Sequence, residues 1–264
     1  MRNGIIIPCY NEASRLQFQK FESFIKTNTN YTICFVNDGS KDKTLNELLR
    51  FRRGKEDQVL VYDLPQNSGK AEAVRSGCQY LLQNTNVQTI GFLDADLSTD
   101  FNDYKMLVNH MDEGKGLEMV FGSRNMNDGI SGEIKRNPLR KMLSNFIGML
   151  IKMIVGLPIN DTQCGAKIFK RDMAGHCFSS PFISRWLFDI ELFIRMKKRY
   201  GVSKIVSILK EVPLKRWVHV EGSKLGLKDS LNIPFQLSRI AIQYRVKPAM
   251  SHAYSGFKMS LGIF

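Results

Sequence analysis

Two aspartates, Asp94 and Asp96, follow directly after the apolar run 89–93 and are two residues apart. Carboxylates at the end of a buried strand are unfavourable unless a positive group balances them. In extended backbone, residues i and i+2 point to the same side, so we expect both acids to face one ligand. Hard divalent cations bind carboxylate and phosphate oxygens together, so the spacing predicts a cation site that holds a phosphorylated ligand.

The segment Pro8-Cys9-Tyr10-Asn11-Glu12 follows the first predicted strand. A tight turn there brings backbone N–H groups and a helix N-terminus to the ligand edge. Tyr10 is a candidate to cover a nucleobase, and Glu12 is a candidate acceptor for a ribose or a base. The alternative is an ordinary strand-to-helix turn in which Asn11 caps the helix.

Two further polar segments lie at 37–44 and 67–71. In the first, Asp38 is a candidate acceptor for an N–H group of a base. In the second, Gly69 and Lys70 open a predicted helix. This second segment resembles a phosphate cradle, although it lacks the full spacing of a P-loop.

Apolar strands alternate with helical stretches through the first half of the chain. This alternation predicts an α/β fold with a mostly parallel sheet and helices on both faces. Ligands of such sheets bind beyond the carboxyl ends of the strands, where the polar segments fall. The predicted strands are 5–7, 31–37, 58–63, 88–93 and 117–121, and the predicted helices lie near 12–27, 42–53, 69–83 and 101–113.

The alternation ends after residue 122, and the second half has a different pattern. Residues 123–137 are rich in Gly, Asn, Asp and Arg, which is typical of a loop. The pattern then predicts helices at 138–155, 186–200 and 229–245, and strands at 204–210 and 212–218.

The formal charge of +13 is concentrated near the C-terminus. Residues 195–264 hold 14 Lys+Arg and 3 Asp+Glu, a net of +11, which leaves +2 for the first 194 residues. A basic end on a nearly neutral body indicates an anionic surface or ligand. Its charges alternate with apolar residues and lack an aromatic stacking platform, which argues against nucleic acid as the partner.

The apolar helix 138–155 has basic flanks, so it is suited to lie in a membrane interface; the alternative is that it packs on the sheet. No apolar run approaches the roughly 20 residues of a membrane span, and no signal peptide is predicted. The five cysteines include no C-x-x-C pair, which favours reduced thiols over disulfides or zinc. We expect a cytoplasmic protein that is peripheral on the cytoplasmic face of a membrane.

Five motifs occur in a defined order along the first half of the chain. They are Ile-Ile-Pro-Cys-Tyr-Asn-Glu at 6–12, Val-Asn-Asp-Gly-Ser at 36–40, Asn-Ser-Gly-Lys-Ala at 67–71, Asp-Ala-Asp-Leu-Ser at 94–98 and Gly-Ser-Arg at 122–124. This series resembles the inverting glycosyltransferases of family 2, which have the GT-A fold. Each motif is short, so the resemblance rests on their number and order.

Three later motifs narrow the resemblance. Asp-Thr-Gln-Cys-Gly-Ala-Lys at 161–167, Trp-Leu-Phe-Asp-Ile-Glu at 186–191 and Glu-Gly-Ser-Lys at 221–224 are similar to the dolichyl-phosphate β-glucosyltransferase and mannosyltransferase branch. The resemblance covers roughly residues 3–228. It implies a Rossmann-like GT-A domain with a C-terminal helical extension. The boundaries that we expect are 1–228 for the domain, 1–122 for its nucleotide-sugar half, 123–228 for its acceptor half and 229–264 for the basic amphipathic extension.

The resemblance also implies a role for each matching position. Asp96, together with Asp94, would bind Mg²⁺ or Mn²⁺ that bridges the diphosphate of the donor, and Asp94 would also approach the ribose. The nucleotide-sugar site would be formed by Pro8, Tyr10, Glu12, Asp38, Lys70, Asp94, Ala95 and Asp96. Phosphates of the donor or the acceptor would meet Arg124, Arg140, Gln163 and Lys224.

Asp189 and Glu191 lie near the start of the predicted helix 186–200 and, two residues apart, cannot face the same way. For a sugar hydroxyl acceptor, the resemblance implies that Asp189 is the general base. A lipid phosphate is already ionised at pH 7 and hardly requires a base, so Asp189 would then position groups. The alternative is a helix-start acid that interacts with the macrodipole. The catalytic set implied by the resemblance is Asp189, Arg124 and Asp96.

The resemblance implies an enzyme that transfers a hexose, with inversion, from a nucleotide sugar to a polyprenyl phosphate. Similarity to the glucosyl branch favours UDP-glucose as the donor over GDP-mannose. One alternative is the same chemistry on a sugar hydroxyl, in surface-polysaccharide or glycolipid synthesis. Another is a catalytically inactive module that binds a nucleotide sugar or a membrane, which the presence of the whole catalytic set argues against.

Overall fold

The structure is a computed structural model that describes residues 1–124, 138–215 and 232–244, without the side chains of 138–145. Its strands are β1 (Asn3–Cys9), β2 (Tyr31–Asp38), β3 (Val59–Leu64), β4 (Thr89–Phe92), β5 (Met119–Ser123), β6 (Lys167–Lys170) and β7 (Leu209–Pro213). Its helices are α1 (Phe18–Thr27), α2 (Thr44–Arg52), α3 (Lys70–Asn84), α4 (Phe101–Glu113), α5 (Pro138–Val155), α6 (Arg171–Cys177) and α7 (Phe188–Ile208). A further helix, α8, covers 233–244.

The strands form one mixed sheet in the order β3-β2-β1-β4-β6-β5-β7. β1, β2, β3 and β4 run parallel, and β7 runs parallel to β5. Only β6 is antiparallel to its neighbours β4 and β5 among the described strands. The prediction of an α/β fold with a mostly parallel sheet is therefore confirmed.

Alternate residues of β1 face opposite helical layers, as the pleat of a strand requires. Ile5 and Ile7 belong to the core that includes residues of α1 and α4, and that layer is filled by aromatic rings. Phe24 of α1 stacks on Phe101 of α4 with ring centroids 4.1 Å apart. Ile6 faces the other way, where Gly77 of α3 lies against it. Helices thus cover both faces of the sheet.

Three predicted element boundaries were wrong. The strand expected at 212–218 lies earlier, as β7 at Leu209–Pro213, and residues 216–218 lie outside the described residues. The helix expected near 12–27 begins only at Phe18, because residues 12–16 form a turn. In that turn the backbone carbonyl of Glu12 accepts from the N–H groups of Arg15 and Leu16 at 2.9 and 3.0 Å. The strand expected at 204–210 is mostly the end of α7, which continues past a kink at Gly201. The apolar spacing of this short segment suits a helix turn as well as a strand, and burial of Ile205 and Ile208 decides for the helix.

The sequence pattern did not reveal β6 or α6. The strand holds only four residues and begins with a buried lysine, so its hydrophobic pattern is interrupted at the first position. All four of its residues nevertheless pair with β4, and three of them also pair with β5. Pairing with two neighbours compensates for a weak local signal.

The chain divides into two compact units. One unit contains 1–135 and 157–222, and it holds the sheet. The other contains 136–156 and 223–264, and its described elements are α5 and α8. The domain boundary at 228 stays a prediction. Within the described ranges, no helix is both long and apolar enough to cross a bilayer.

Gly39 forms the turn after β2 at a position that only glycine suits. Its φ is +60°, and a Cβ added there would collide with the backbone of Gln66 and Asn67. We expect Gly39→Ala to destabilise the protein by the cost of a left-handed residue, about 1–2 kcal/mol, plus an overpacking cost of about 1–3 kcal/mol. Urea unfolding measures the difference.

The matched control is Gly54→Ala. Gly54 also has a positive φ, of +71°, but a Cβ there would meet nothing within 4 Å. The free energy of unfolding of this variant should therefore fall only by the cost of the left-handed backbone, without the overpacking cost. Equal stability losses in the two variants would contradict the close approach of the turn after β2 to residues 66–67.

Candidate active site

Polar segments from the first half of the chain meet at one edge of the sheet. Asp38 is the last residue of β2, Asp94 follows β4 by two residues, and Arg124 follows β5 directly. Parallel strands end at the same edge, so these side chains share one side of the molecule. The predicted convergence is confirmed.

Asp38 holds the loop that precedes α3. The side chain is buried, with 3% of the residue exposed. Its Oδ1 accepts from the N–H of Ser68 at 2.7 Å, and its Oδ2 accepts from the N–H of Gly69 and from Asn67 Nδ2, both at 2.9 Å. Asp38 therefore acts as an anchor for the loop 67–69, and its contact with a nucleobase stays a prediction.

Arg185 holds the same loop from the other side, a contact that the sequence pattern did not indicate. Its guanidinium donates to the backbone carbonyls of Ser68 and Asn67 at 3.1 Å each, and its own carbonyl accepts from the N–H of Ala71 at 3.0 Å. Gly69, with φ +95°, leaves room for the arginine side chain. The loop is thus fixed between Asp38 and Arg185.

Lys70 is the first residue of α3, directly after this loop, and lies beside the aspartate pair. Its ammonium forms an ion pair with Asp94 Oδ1. Burial opposes the charge on this lysine, but the carboxylates of Asp94, Asp189 and Asp96 together raise the pKa of Lys70. Lys70 therefore carries a fixed positive charge among three acids.

The two aspartates lie in a turn, which corrects the expectation of extended backbone. The N–H of Leu97 donates to the carbonyl of Asp94 at 3.1 Å, and Leu97 has a left-handed φ of +53°. Asp96 Oδ1 accepts from the N–H of Ser98 at 2.9 Å, while Arg15 approaches Asp96 Oδ2 at 3.7 Å. Both acids are half-buried, and both lie near Lys70.

The aspartate pair suits a divalent cation that shares its ligands with a bound phosphate. Carboxylate oxygens are hard ligands, as Mg²⁺ and Mn²⁺ prefer. No group of three or more acidic, histidine or cysteine side chains that would hold an ion by itself occurs among the described residues. The residues present therefore fit an ion whose remaining ligands come from a diphosphate and water. Asp94 and Asp96 are the candidates to hold it.

The turns after β1 and β2 are joined by hydrogen bonds. The N–H of Asn11 donates to Ser40 Oγ at 2.9 Å, and Asn11 Oδ1 accepts from the N–H of Lys41 at 2.8 Å. The N–H of Glu12 donates to Thr44 Oγ1 at 2.8 Å. Asn11 is thus not the cap of α1, because the helix begins further on. Pro8 lies within β1, and Tyr10 is half-buried in the turn beside Asn11. The predicted contacts of Pro8, Tyr10 and Glu12 with a nucleoside stay predictions.

Arg124 is held by a two-pronged ion pair with Asp161. Its Nε and Nη2 donate to the two carboxylate oxygens at 2.7 and 2.9 Å, and its backbone N–H donates at 3.1 Å. Burial acts to raise the pKa of Asp161, but the hydrogen bonds from Arg124 dominate and lower it. The N–H of Gln163 also donates to Asp161, at 3.0 Å. Arg124 is therefore presented at the sheet edge in a fixed orientation.

Asp189 lies in the first turn of α7, and its partner is a buried lysine. Lys167 Nζ donates to Asp189 Oδ1 at 2.5 Å. Burial raises the pKa of Asp189, against the opposing effect of Lys167 and Lys70. Glu191 faces elsewhere, as predicted, and accepts from the N–H groups of Ile183 and Ser184. Asp189 therefore has a specific ion-pair partner in addition to any interaction with the helix macrodipole. The sequence pattern did not indicate this role of Lys167.

Several of the residues predicted from the sequence thus come together at this edge. One group contains Lys70, Asp94, Ala95, Asp96 and Asp189. A second group contains Arg124 and Gln163, which both contact Asp161. The side chain of Arg140 and all of Lys224 lie outside the described residues. The same holds for residues 125–137 of the loop predicted at 123–137 and for 216–231. The roles assigned to these positions stay predictions. Ser123 is the last residue of β5 rather than part of the predicted loop.

The chain is similar to known glycosyltransferases. The family model described as glycosyl transferase family 2 matches residues 4–178. A dolichyl-phosphate beta-glucosyltransferase of Trichomonas vaginalis is 30% identical over 92% of this chain and 74% of its own length. The human dolichyl-phosphate beta-glucosyltransferase is 29% identical over 84% of this chain and 69% of its own length.

The fold is also found among solved structures. Glucosyl-3-phosphoglycerate synthase of Mycobacterium tuberculosis superposes with a TM-score of 0.62 at 18% identity, over 92% of this chain and 80% of that one. The same enzyme has been solved with Mn²⁺, UDP-glucose and phosphoglyceric acid. This likeness confirms the predicted GT-A fold. The family model, which matches more than half of the chain, and the sequence relatives show that the chain belongs to glycosyl transferase family 2.

Proposed function

We propose that this chain transfers glucose, with inversion, from UDP-glucose to a polyprenyl phosphate of the dolichyl phosphate class. The observation that carries the proposal is the grouping of Lys70, Asp94, Asp96 and Asp189 at the ligand edge of the sheet. The sequence relatives named above support the sugar and the acceptor. GDP-mannose is the alternative donor.

At the donor end, the leaving diphosphate gains negative charge as the bond to the sugar breaks. Asp94 and Asp96 would hold Mg²⁺ or Mn²⁺, which when bound supplies charge stabilisation for that leaving group. Lys70 adds a positive charge that is already fixed beside Asp94 before the reaction begins. Preorganised charges of this kind stabilise a transition state without having to reorganise.

At the acceptor end, a phosphate monoester is already anionic at neutral pH and needs no general base to become a nucleophile. Asp189, fixed by Lys167, then has the role of orienting the acceptor. Arg124 is a candidate for the acceptor phosphate because Asp161 fixes its orientation. Gln163, whose N–H group also donates to Asp161, is the second candidate for that phosphate.

A sugar hydroxyl is the alternative acceptor, and one observation favours it. Burial raises the pKa of Asp189, which makes the carboxylate a better proton acceptor than an exposed aspartate. Asp189 would then be the general base. Dependence of turnover on a lipid phosphate separates the two acceptors.

The proposed acceptor is a lipid, and α5 carries an apolar face suited to an anionic membrane surface. Phe146, Met149 and Met153 are 48%, 50% and 57% exposed and lie on one side of the helix. Ile151 and Val155, on the opposite side, are buried. We propose that this face of α5 enters the membrane interface and that the protein acts there as a peripheral protein.

The described part of α8 has the same character. Phe235 and Ile242 are 63% and 60% exposed and are seven residues apart on the helix, whereas Leu237 and Ile240 are buried. Arg239 lies between the two exposed apolar residues on the same side. Basic side chains beside apolar ones favour a surface of anionic lipids.

The proposed reaction is tested by release of UDP from UDP-glucose with Mn²⁺ or Mg²⁺, with and without a short polyprenyl phosphate. We expect turnover to require both the metal and the lipid phosphate. Asp96→Ala should lower it by at least about 100-fold, because charge stabilisation of the leaving group is lost. Turnover that is indifferent to the lipid would contradict the proposed acceptor, and turnover that survives in EDTA would contradict the metal.

A second prediction concerns the approach of Gly165 to the aspartate pair. A Cβ added at Gly165 would collide with the carboxylate of Asp94 and so move it from Lys70. We expect Gly165→Ala to weaken metal-dependent UDP binding by about 10- to 100-fold, as loss of a supporting contact typically does at metal sites. Calorimetric titration with UDP and Mn²⁺ measures the change.

The matched control is Gly175→Ala in α6. A Cβ there would make only an ordinary contact with Leu82, at 3.8 Å. UDP binding should remain at the level of the unmodified chain. If Gly165→Ala also binds UDP normally, the proposed role of Asp94 in holding the metal is wrong.

A third prediction addresses the membrane face. We expect Met149→Glu/Met153→Glu to bind vesicles of phosphatidylcholine and phosphatidylglycerol at least about tenfold more weakly, because each apolar side chain kept out of the interface loses on the order of 1 kcal/mol. Vesicle flotation measures it. Val202→Glu, at an apolar position of α7 that is 55% exposed, is the control and should bind as before. Equal vesicle binding by both variants would contradict the assignment to α5.

A further inference from the structure

Lys167 lies at the ligand edge of the sheet, in β6, the strand between β4 and β5. As the first residue of β6 it pairs in register with Phe92 at the end of β4 and with Phe121 in β5. β4 leads to Asp94, and β5 leads to Arg124. Lys167 therefore lies between the strands that deliver both groups, although its own side chain is 0% exposed.

The ammonium group of Lys167 is held by partners of the protein itself. It donates to Asp189 Oδ1 at 2.5 Å and to the carbonyl of Cys164 at 2.6 Å, and it lies 5.5 Å from the ring centroid of Phe92. A completely buried side chain with these partners does not reach a ligand at the open edge. Any effect on the reaction must pass through Asp189.

The contact with Lys167 uses only one oxygen of the Asp189 carboxylate. Among the described residues, the hydrogen bonds to this carboxylate go to Oδ1 alone, and none goes to Oδ2. The other charged groups that act on Asp189 are Lys70 from α3, Asp94 after β4 and Arg124 after β5. Asp94 repels an anionic ligand, so an unbalanced Asp189 would add to that repulsion.

We propose that Lys167 is a positioning residue that holds Asp189 Oδ1, directs the second oxygen to the acceptor and balances the charge of Asp189 when an anionic acceptor binds. This inference rests on the proposed function, because it concerns the acceptor side of the same site. It assigns Lys167 no contact with the substrate. The lysine acts by fixing a carboxylate whose displacement by about 1 Å would cost on the order of 100-fold in rate.

The test is a double-mutant cycle on lipid-dependent glucose transfer. The variants are Lys167→Met, Asp189→Asn and the double variant, with kcat and KM determined for UDP-glucose and for the polyprenyl phosphate. We expect Lys167→Met to lower kcat by about 10- to 100-fold with KM for UDP-glucose changed by less than about twofold. In the Asp189→Asn background the same substitution should change kcat by less than about twofold, because residues that act as a unit are not additive.

Folding of the variants is checked by thermal unfolding and by UDP binding. Lys167→Met leaves a buried carboxylate unpaired and is therefore expected to lower the melting temperature. The double variant removes both charges and should recover much of that loss, so the cycle remains readable if the single variant is unstable. Lys170→Met, on the same strand, is the control: Lys170 contacts Met1 rather than Asp189, and kcat should be unchanged.

The outcomes distinguish a failure of the role proposed for Lys167 from a failure of the proposed function. A loss of kcat from Lys167→Met that is equally large in the unmodified chain and in the Asp189→Asn variant would show that Lys167 acts independently. That result overturns this inference and leaves the proposed function intact. Full activity of Asp189→Asn would also overturn it, since Lys167 would then have nothing to position. Absence of lipid-dependent transfer by the unmodified chain overturns the proposed function and the inference together.

Discussion

The rest of this structure depends on one constraint: the carboxylates at the end of the buried sheet need positively charged partners. An acid taken out of water without a partner is strongly unfavourable. The chain meets this requirement with lysines, Lys70 beside Asp94 and Lys167 beside Asp189, and with Arg124 beside Asp161. The ligand edge is therefore a set of paired charges rather than an acidic patch. Such an edge can receive an anionic diphosphate together with a cation.

The reversed strand β6 explains how these pairs are assembled. Parallel strands end at the ligand edge, but an antiparallel strand between them begins there. Lys167, the first residue of β6, and Gly165 just before it therefore reach the edge from the second half of the chain. Gly165 leaves space for Asp94, and Lys167 takes Asp189 as its partner. One short strand thus brings residues of the second half of the chain beside Asp94 and Asp189.

Side-chain carboxylates also fix the loops of the site. Loop backbone lacks the partners that a sheet or helix supplies, so its N–H groups need other acceptors. Asp38 accepts from the loop 67–69, and Glu191 accepts from Ile183 and Ser184. Arg185 follows Ser184 directly and binds the loop that Asp38 holds. The loop that precedes Lys70 and the helix that carries Asp189 therefore rest on one hydrogen-bonded framework.

The amino-acid sequence by itself determined the alternation of strands and helices, the mostly parallel sheet and the edge at which the polar motifs meet, because hydrophobic periodicity and turn residues are local signals. It also predicted Asp94, Asp96 and Asp189 as site residues, and the structure places all three near Lys70. Only the tertiary structure decided that the aspartate pair lies in a turn, that Asp38 anchors a loop and that Lys167 and Arg185 belong to the site. These features depend on pairing between residues far apart in the chain, for which no local pattern exists. A lysine in a four-residue strand looks like an interruption until its carboxylate partner from another helix is brought beside it.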